Sequence, residues 1–376
     1  MKLNRYTALA MSVFLAAAVM TGCGSKDTQT AAQTPAQSQA AETPAAAETK
    51  EEKAAETEKS AETENADKAQ SSELKEFDVV LDWYPNAVHS FIYEAIEHGY
   101  FAEEGLKINV ISPAESVDAM TFVAADKAQI GITYPVDVIT AVANEKMPVV
   151  AIGALVQEEL NCMASLAETD ITEDMSTLKG KKIGHSGPAV QVAAVKTIMA
   201  NAGLTENDAE IINVGFDLVS SLTTKSVDIV AGPFINDEII TMRNAGYDIN
   251  VWRYQDYGVP SMYGLVFAAN KDAYAADPEL YKGFLRACAK GFEDMKADEE
   301  HVIGLIMSEM NSDDNPLDET QQRGSYETLM PLMEKDGQPF LSMTEETWKN
   351  AREWMLKYEI ISEACDVSEF FIAPEL

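Results

Sequence analysis

Apolar residues fall into short runs and helical spacings from residue 77 onward. Residues 77–81 form an apolar run with β-branched side chains, and a turn containing Pro85 ends it. Val88, Phe91 and Ile92 then follow at the spacing i, i+3, i+4. This order predicts a strand, a turn and a helix.

The same order of strand and helix continues along the chain and restarts near residue 180. Further predicted strands cover 106–111, 129–132, 149–155, 182–184, 210–214, 227–231, 249–252 and 265–268. Further predicted helices cover 117–125, 135–144, 190–202, 218–224 and 236–244, and a helical tail covers 278–358. Such alternation is typical of a largely parallel α/β sheet. Two consecutive α/β units predict two lobes with a ligand cleft between them.

The first residues have a different pattern, typical of a secretory signal peptide. Lys2 and Arg5 precede an apolar run that is too short for a spanning helix, and small residues follow it. The segment Thr21-Gly22-Cys23 resembles a bacterial lipobox, in which the cysteine is lipidated after cleavage. We therefore expect a signal peptide over 1–22 and lipidation at Cys23. The alternative is an ordinary cleaved signal in which Cys23 falls by chance.

A polar segment follows the predicted cleavage site. Residues 24–76 contain no Phe, Trp or Tyr and consist mainly of Ala, Glu, Thr, Gln, Ser and Lys. Such a segment buries too little apolar area to offset the entropy lost on ordering. We expect residues 23–76 to form a lipid-anchored, disordered tether.

Charge narrows the functional classes. The 376 residues carry 28 Lys and Arg against 62 Asp and Glu, a formal net charge of -34. The tether holds 12 acidic residues and 6 Lys, so most of the negative charge lies in residues 77–376. A phosphate-binding protein needs a basic face, so this balance excludes a nucleic-acid partner and disfavours an anionic lipid surface.

The cysteines and histidines predict neither a disulfide framework nor a metal site. Three cysteines follow the lipobox and lie far apart, so buried free thiols are expected and at most one disulfide can form; they are Cys162, Cys288 and Cys365. The four histidines show no metal-ligand spacing; they are His89, His98, His185 and His301. We expect no metal and no cofactor.

The turn after the first predicted strand holds a cluster of candidate ligand-binding residues. Trp83 and Tyr84 suit stacking on a flat ring, and Asn86 offers both a donor and an acceptor. His89 is expected in the first turn of the next helix, off its apolar stripe. The structural alternative is that Trp83 covers the core and Asn86 only caps the helix.

Two other strand ends add candidates. Tyr134 follows the predicted strand 129–132, and Ser186-Gly187 follows 182–184. Backbone N–H groups at Ser186 and Gly187 are candidates to bind an acceptor at the start of a helix. The alternative is a plain turn between strand and helix.

A third group follows the predicted strand 227–231. Phe234, Asn236 and Glu238 come soon after its end, where Asn236 and Glu238 would face the cleft. A carboxylate there would accept hydrogen bonds from a ligand amine or an aminopyrimidine. The alternative is that Glu238 is an acidic helix start favoured by the helix dipole.

Several segments resemble one known family. They are Asp82-Trp83-Tyr84-Pro85-Asn86 with His89, Gly99-Tyr100-Phe101, Glu104-Gly105-Leu106, Leu178 to Gly184, Lys225 to Asp228 and Gly232 to Glu238. Together they resemble the group that includes the yeast-type thiamine-pyrimidine synthase and bacterial periplasmic proteins binding thiamine-pyrimidine precursors. The resemblance implies an α/β fold of two lobes, the type II periplasmic-binding-protein fold. In that fold a hinge joins the lobes, and the helical C-terminal part packs on the first lobe.

The resemblance also implies lobe boundaries and a distribution of the site. Residues 77–165 and 265–376 would form the first lobe, and 166–264 the second. The first lobe would contribute Trp83, Tyr84, Asn86 and His89, and the second Asn236 and Glu238. The chain departs from the family pattern at Val88, Phe91 and Pro233, and the sequence leaves open whether the bulkier Phe91 shrinks or reshapes the pocket.

The implied function is transport. The resemblance implies an extracytoplasmic, membrane-anchored, monomeric solute-binding lipoprotein that captures an aminopyrimidine precursor of thiamine for an ABC permease. Riboflavin, a sulfonate or another small aromatic solute would suit the same architecture. The enzyme alternative, a synthase using pyridoxal phosphate and a cysteine-rich segment, is disfavoured because the cysteines are scattered and the chain carries an export signal.

Overall fold

The computed structural model describes residues 74–113, 118–313 and 315–376. The predicted signal peptide, Cys23 and almost all of the predicted tether lie outside these residues. The tether prediction ended at residue 76, but the first strand already begins at Lys75. Within the described residues, no helix has the length and apolar character needed to cross a membrane.

In the described residues, ten strands form two five-stranded sheets. The first sheet has the order β2-β1-β3-β10-β4, and the second has the order β7-β6-β8-β5-β9. Their bounds are β1 (Lys75–Val80), β2 (Leu106–Ile111), β3 (Ile130–Thr133), β4 (Val149–Ala154), β5 (Asn161–Leu166), β6 (Lys182–His185), β7 (Glu210–Asn213), β8 (Ile229–Phe234), β9 (Ile249–Arg253) and β10 (Val266–Asn270).

Each sheet is mixed, because one of its strands runs antiparallel to its two neighbours. In the first sheet β1 pairs in parallel with β2 and β3, while β10 runs antiparallel to β3 and β4. In the second sheet β6 pairs in parallel with β7 and β8, while β5 runs antiparallel to β8 and β9. The predicted parallel core is present, and the strands that cross between the sheets supply the antiparallel pairs.

Strand β5 corrects the expected lobe boundary. The sequence placed residues 161–165 in the first lobe and predicted no strand there. Since β5 pairs with β8 and β9, these residues belong to the second sheet. The chain therefore crosses between β4 and β5, not after residue 165.

The helices cover both sheets and most of the C-terminal part. They are α1 (Ser90–Glu97), α2 (Tyr100–Glu103), α3 (Asp118–Ala124), α4 (Pro135–Ala143), α5 (Ala189–Asn201), α6 (Leu218–Thr223), α7 (Glu238–Asn244), α8 (Lys271–Ala276), α9 (Pro278–Ala297), α10 (Glu299–Leu305), α11 (Glu319–Met333) and α12 (Glu345–Lys357). Short 3-10 turns cover Ala87–His89, Met175–Leu178, Tyr254–Tyr257 and Val367–Glu369, and a π-helical turn covers Ile306–Met310.

The helical tail packs on the first lobe and also reaches the second. Helices α9 and α10 pack against α1 beside the first sheet, as expected. Helix α11 contacts α7 of the second lobe, where Asn236 Nδ2 donates to Ser325 Oγ at 3.3 Å. Helix α12 also contacts the second lobe, because Trp354 Nε1 donates to Thr197 Oγ1 of α5 at 2.9 Å.

Aromatic side chains form the core beneath the first sheet. Phe77 and Phe284 stack with ring centroids 5.0 Å apart, and Phe267 meets Phe284 edge-on. The thiols of Cys162 and Cys288 are buried and free, as predicted, and Cys365 is also free and half-buried. Burial raises the pKa of the Cys288 thiol well above its usual value. Such thiols behave as small apolar side chains.

Candidate functional site

A cavity of about 910 Å³ lies between the two sheets, within the size range of small-molecule sites. Residues from both lobes line it. Eight of the nine predicted ligand-binding residues are among them: Trp83, Tyr84, Asn86, Tyr134, Ser186, Phe234, Asn236 and Glu238. The cleft expected from strand ends is therefore present, and it collects residues distant in sequence.

The turn between β1 and α1 presents aromatic faces to the cavity. Trp83 and Tyr84 line the cavity, and their side chains remain 50% and 39% exposed. Such exposure is unusual for large aromatic side chains. Their rings meet edge-on with centroids 5.7 Å apart. Trp83 therefore does not cover the core, and its exposed face is available for a flat ligand ring.

Asn86 combines the two roles that the sequence left open. Its side-chain oxygen accepts a hydrogen bond from Val88 N at 3.1 Å, which caps the turn Ala87–His89. Its Nδ2 donates to Tyr84 O at 3.0 Å. The residue also lines the cavity, so capping fixes a side chain that is positioned at the site.

His89 does not line the cavity, which corrects the predicted ligand contact. The ring is fully buried. Its Nε2 lies 2.8 Å from Asp82 Oδ1, and its Nδ1 accepts from Asn86 N at 3.2 Å. Because Nδ1 accepts, Nε2 carries the proton and donates to Asp82. His89 therefore positions the neighbouring residues Asp82 and Asn86 of the turn.

Asp82 is a cavity residue that sequence reasoning did not select. Its Oδ1 takes the His89 hydrogen bond, and its Oδ2 accepts from the Tyr134 hydroxyl at 3.3 Å. Burial raises the pKa of Tyr134 well above its usual value, so this hydroxyl stays protonated and donates. The position of Asp82 at the end of the first strand was a usable signal.

In the second lobe Ser186 lines the cavity, but the predicted backbone donor pair is incomplete. Gly187 N donates to His185 Nδ1 at 3.1 Å, so this N–H group is already satisfied. Gly187 has a φ of +118°, a conformation that favours glycine. The turn is therefore closed by His185 and does not offer both N–H groups to a ligand.

Glu238 and Asn236 lie at the start of α7 and face the cavity. Glu238 Oε2 accepts from Phe234 N at 2.8 Å, so the carboxylate also closes the turn after β8. Burial, assisted by the neighbouring charge of Asp237, raises the pKa of Glu238 to about 7. Asn236 Oδ1 is buried and accepts no hydrogen bond from the described residues. Both oxygens are candidate acceptors for a ligand donor.

A chain of polar side chains in the cavity was missed by the sequence analysis. The Tyr254 hydroxyl donates to Gln191 Oε1 at 2.6 Å, and Gln191 Nε2 donates to Asn161 Oδ1 at 2.9 Å. Asn161 Nδ2 then donates to Glu159 Oε1 at 2.6 Å. Burial raises the pKa of Glu159. These residues come from three separate parts of the chain, so no local spacing connects them.

The cavity surface is strongly acidic. Six carboxylate residues line it, and none of the described lining residues is Lys, Arg or His; the six are Asp82, Asp137, Glu145, Glu159, Asp237 and Glu238. Burial raises the pKa of Asp137 to about 6. Such a surface favours ligands with N–H donors or positive charge over anions.

Two departures from the family pattern have no direct effect on the cavity. Phe91 is fully buried, where its ring packs edge-on against Phe267 and Phe340, and it does not line the cavity. The carbonyl of Pro233 accepts from Cys162 Sγ at 3.3 Å inside the second lobe. Val88, the third departure, does line the cavity.

Two mixed α/β lobes around a cavity define the periplasmic-binding-protein fold. The aliphatic sulphonate-binding protein SsuA of Escherichia coli has this architecture, with a TM-score of 0.63 at 13% identity over 80% of this chain and 92% of that one. The family model described as NMT1/THI5 like matches residues 86–301. The chain belongs to the NMT1/THI5-like family.

Two relatives differ in the activity that their names state. The chain is 33% identical over 282 residues to a formylaminopyrimidine-binding protein of Halalkalibacterium halodurans. The aligned residues cover 75% of this chain and 85% of that protein. It is 26% identical over 217 residues to a 4-amino-5-hydroxymethyl-2-methylpyrimidine phosphate synthase of Aspergillus parasiticus. That alignment covers 55% of this chain and 62% of the enzyme.

Proposed function

We propose that the protein is an extracytoplasmic solute-binding lipoprotein of an ABC importer and that it captures an aminopyrimidine precursor of thiamine. The observation that carries the proposal is a cavity with exposed aromatic faces, six carboxylates and no basic residue among its described lining. An aminopyrimidine is a flat ring with N–H donors, which matches both properties. The family and the name of the bacterial relative support the same ligand class.

Capture would proceed by stacking followed by polar contacts. The pyrimidine ring would stack on Trp83 or Tyr84 of the first lobe, where the aromatic faces are exposed. The ligand amine would then donate to Glu238 of the second lobe or to Asn236 Oδ1, which accepts from none of the described residues. Because these contacts come from different lobes, a bound ligand favours their approach.

The charge of the cavity argues against the sulfonate alternative. A sulfonate is an anion and requires donors or cations, whereas the side chains here place carboxylates around the ligand volume. Riboflavin is larger, but its flat ring and N–H group keep it as the second candidate for testing.

The residues of the cavity also favour binding over catalysis. A pyridoxal phosphate enzyme uses a lysine for the Schiff base and donors for the phosphate. The described lining residues contain no lysine and no cysteine. Cys162 and Cys288 are buried elsewhere as inert thiols.

Titration calorimetry on the full chain tests the ligand. The formylaminopyrimidine and 4-amino-5-hydroxymethyl-2-methylpyrimidine should each bind with one site per chain, whereas taurine and another sulfonate should not. Riboflavin serves as the aromatic comparison. Tight binding of a sulfonate without binding of either pyrimidine would contradict the assignment.

Membrane attachment is tested separately in a bacterial host. Fractionation should recover the wild-type chain with membranes, and Cys23→Ser should release it or leave its signal uncleaved, because the lipidated residue is lost. Equal membrane retention of both chains, with the signal cleaved from each, would contradict lipidation at Cys23 and would leave the ligand result untouched.

A further inference from the structure

A second cluster of chemically active side chains lies outside the cavity, where α1 meets α10. Glu94 lies on α1, His98 is the C-cap of α1 one helical turn further on, and His301 lies on α10. Their ligand atoms all lie within 4.8 Å of one another. None of the three lines the ligand cavity.

Glu94 is the unusual member of the cluster. Its side chain is 0% exposed, yet neither carboxylate oxygen has a hydrogen-bond partner among the described residues. A buried carboxylate without partners is costly and calls for a compensating positive charge. The two imidazoles are partly exposed, at 42% and 41%, so the cluster is open to solvent on one side.

The separations fit a shared ion better than hydrogen bonds. Glu94 Oε2 lies 3.4 Å from His98 Nε2 and 3.5 Å from His301 Nε2. Both distances exceed the usual length of a charge-assisted hydrogen bond, about 2.7–2.9 Å. Ligand atoms on a tetrahedral zinc ion, at bond lengths near 2.1 Å, lie about 3.3–3.5 Å apart.

We propose that Glu94, His98 and His301 form a binding site for Zn²⁺ or a similar late first-row divalent cation. Two imidazoles and a carboxylate are a common ligand set for such ions. Glu97 Oε2 lies 3.3 Å from His301 Nε2, which places it as a fourth ligand or as an acceptor for a bound water.

The surroundings support a cation. Asp294 Oδ2 lies 3.9 Å from His98 Nε2, and the Tyr100 hydroxyl donates to this same oxygen at 2.6 Å. The ring of Tyr100 also stacks on His98 with centroids 5.6 Å apart. Outer contacts of this kind orient the ligands of metal sites. Three carboxylates therefore face two imidazoles: Glu94, Glu97 and Asp294.

The competing explanation is an ion pair between Glu94 and protonated histidines, which needs no metal. Equilibrium dialysis of the metal-free full chain against Zn²⁺, with Co²⁺ absorption as a geometry probe, distinguishes the two. We expect one ion per chain and the visible absorption of low-coordinate Co²⁺. His98→Ala and His301→Ala should each weaken Zn²⁺ binding by at least about 10-fold.

His185→Gln is the matched control, because it removes one histidine away from the cluster and should leave Zn²⁺ affinity unchanged. A second readout is thermal unfolding, in which Zn²⁺ should raise the midpoint of the wild type but not of Glu94→Gln. Unaltered affinity in both cluster variants, or binding lost equally in His185→Gln, would overturn the site. A midpoint that Zn²⁺ does not shift in the wild type would favour the ion pair.

Discussion

Side chains at the cavity are held in place by hydrogen bonds to neighbouring residues. Asp82 is fixed by His89 behind it and by Tyr134 beside it. Asn86 is fixed because it caps the turn. Positioned groups of this kind lose little freedom when a ligand binds, which supports affinity.

Trp83 provides the clearest test of stacking. We expect Trp83→Ala to weaken aminopyrimidine binding by about 1–3 kcal/mol, the scale of a lost base–aromatic contact. The fold should survive because half of the side chain is exposed. Calorimetry measures the affinity, and circular dichroism checks the fold. Tyr247→Ala, an exposed aromatic residue outside the cavity, is the control. Equal affinity of all three proteins would make Trp83 structural.

Glu238 predicts a pH dependence of stability. Its folded pKa of about 7 lies above its ordinary value of 4.5, so the folded state holds the proton over this window while the unfolded state releases it. Stability should therefore fall as pH rises from about 5 to about 7. Glu238→Gln keeps an acceptor for Phe234 N and should reduce this loss by roughly 1–2 kcal/mol, a value lowered for solvent screening.

Urea unfolding between pH 5 and pH 8 measures this loss, with Glu210→Gln on the exposed edge strand β7 as the control. Ligand affinity should change in the opposite sense, because the carboxylate that accepts from the ligand amine forms as pH rises. Parallel pH profiles for the wild type and Glu238→Gln would show that the raised pKa has no energetic effect.

At the scale of elements, α1 is held by a close approach to α9. A Cβ on Gly291 would lie 2.1 Å from Phe91 O and 2.9 Å from Ala95 N. Only glycine allows the two helix backbones to come so near. Because α1 follows the ligand turn, contains Glu94 and ends at the C-cap His98, this contact supports both sites.

Gly291→Ala should therefore destabilise the protein by about 1–3 kcal/mol, since backbone atoms cannot move aside as a side chain does. Gly304→Ala is the matched control in α10, where nothing lies within 4 Å of an added Cβ. That variant should be neutral or stabilise the helix by up to about 1 kcal/mol. Denaturant unfolding compares the two. Destabilisation by Gly304→Ala alone would contradict this account of the packing.

The whole molecule is organised around two crossings between its sheets. The chain leaves the first sheet after β4 and returns to it at β10, and the two crossing segments pair at Gly264 N to Val156 O and Leu155 N to Leu265 O, both 2.9 Å. Helix α11 adds a side-chain bridge, since Gln321 Nε2 donates to Asp237 Oδ1 at 2.9 Å. A paired connection of this kind suits a hinge.

Phe216 indicates which surfaces would meet if the hinge closes. It lies in the second lobe, lines the cavity and is 93% exposed. We expect saturating aminopyrimidine to lower the radius of gyration measured by small-angle X-ray scattering. Ligand at 100 times its Kd should add about 2.7 kcal/mol of stability. Phe216→Ala should weaken binding and leave the stability of the free protein unchanged. A radius of gyration that is the same with and without ligand, whether the free protein is open or already contracted, would contradict ligand-driven closure.

Much of the architecture could be predicted from local pattern. The alternation of apolar runs and helical spacing located nine of the ten strands in the described part of the chain, and residues after strand ends supplied eight cavity-lining candidates. This succeeded because side-chain periodicity and strand direction act over a few residues. Strand β5 was missed because all six of its residues are buried and only part of it is apolar.

Only the tertiary structure decided which side chains from distant segments of the chain come together at a site. The sequence placed His89 at the ligand, but packing buried it behind Asp82. It gave His98 and His301 no shared spacing, but the contact of α1 with α10 brings His301 to Glu94 and His98, which are already one helical turn apart. The sequence by itself determined the two α/β units and their acidic, aromatic strand ends. Which side chains share a cavity or an ion depends on helix packing and strand crossing, which no local pattern encodes.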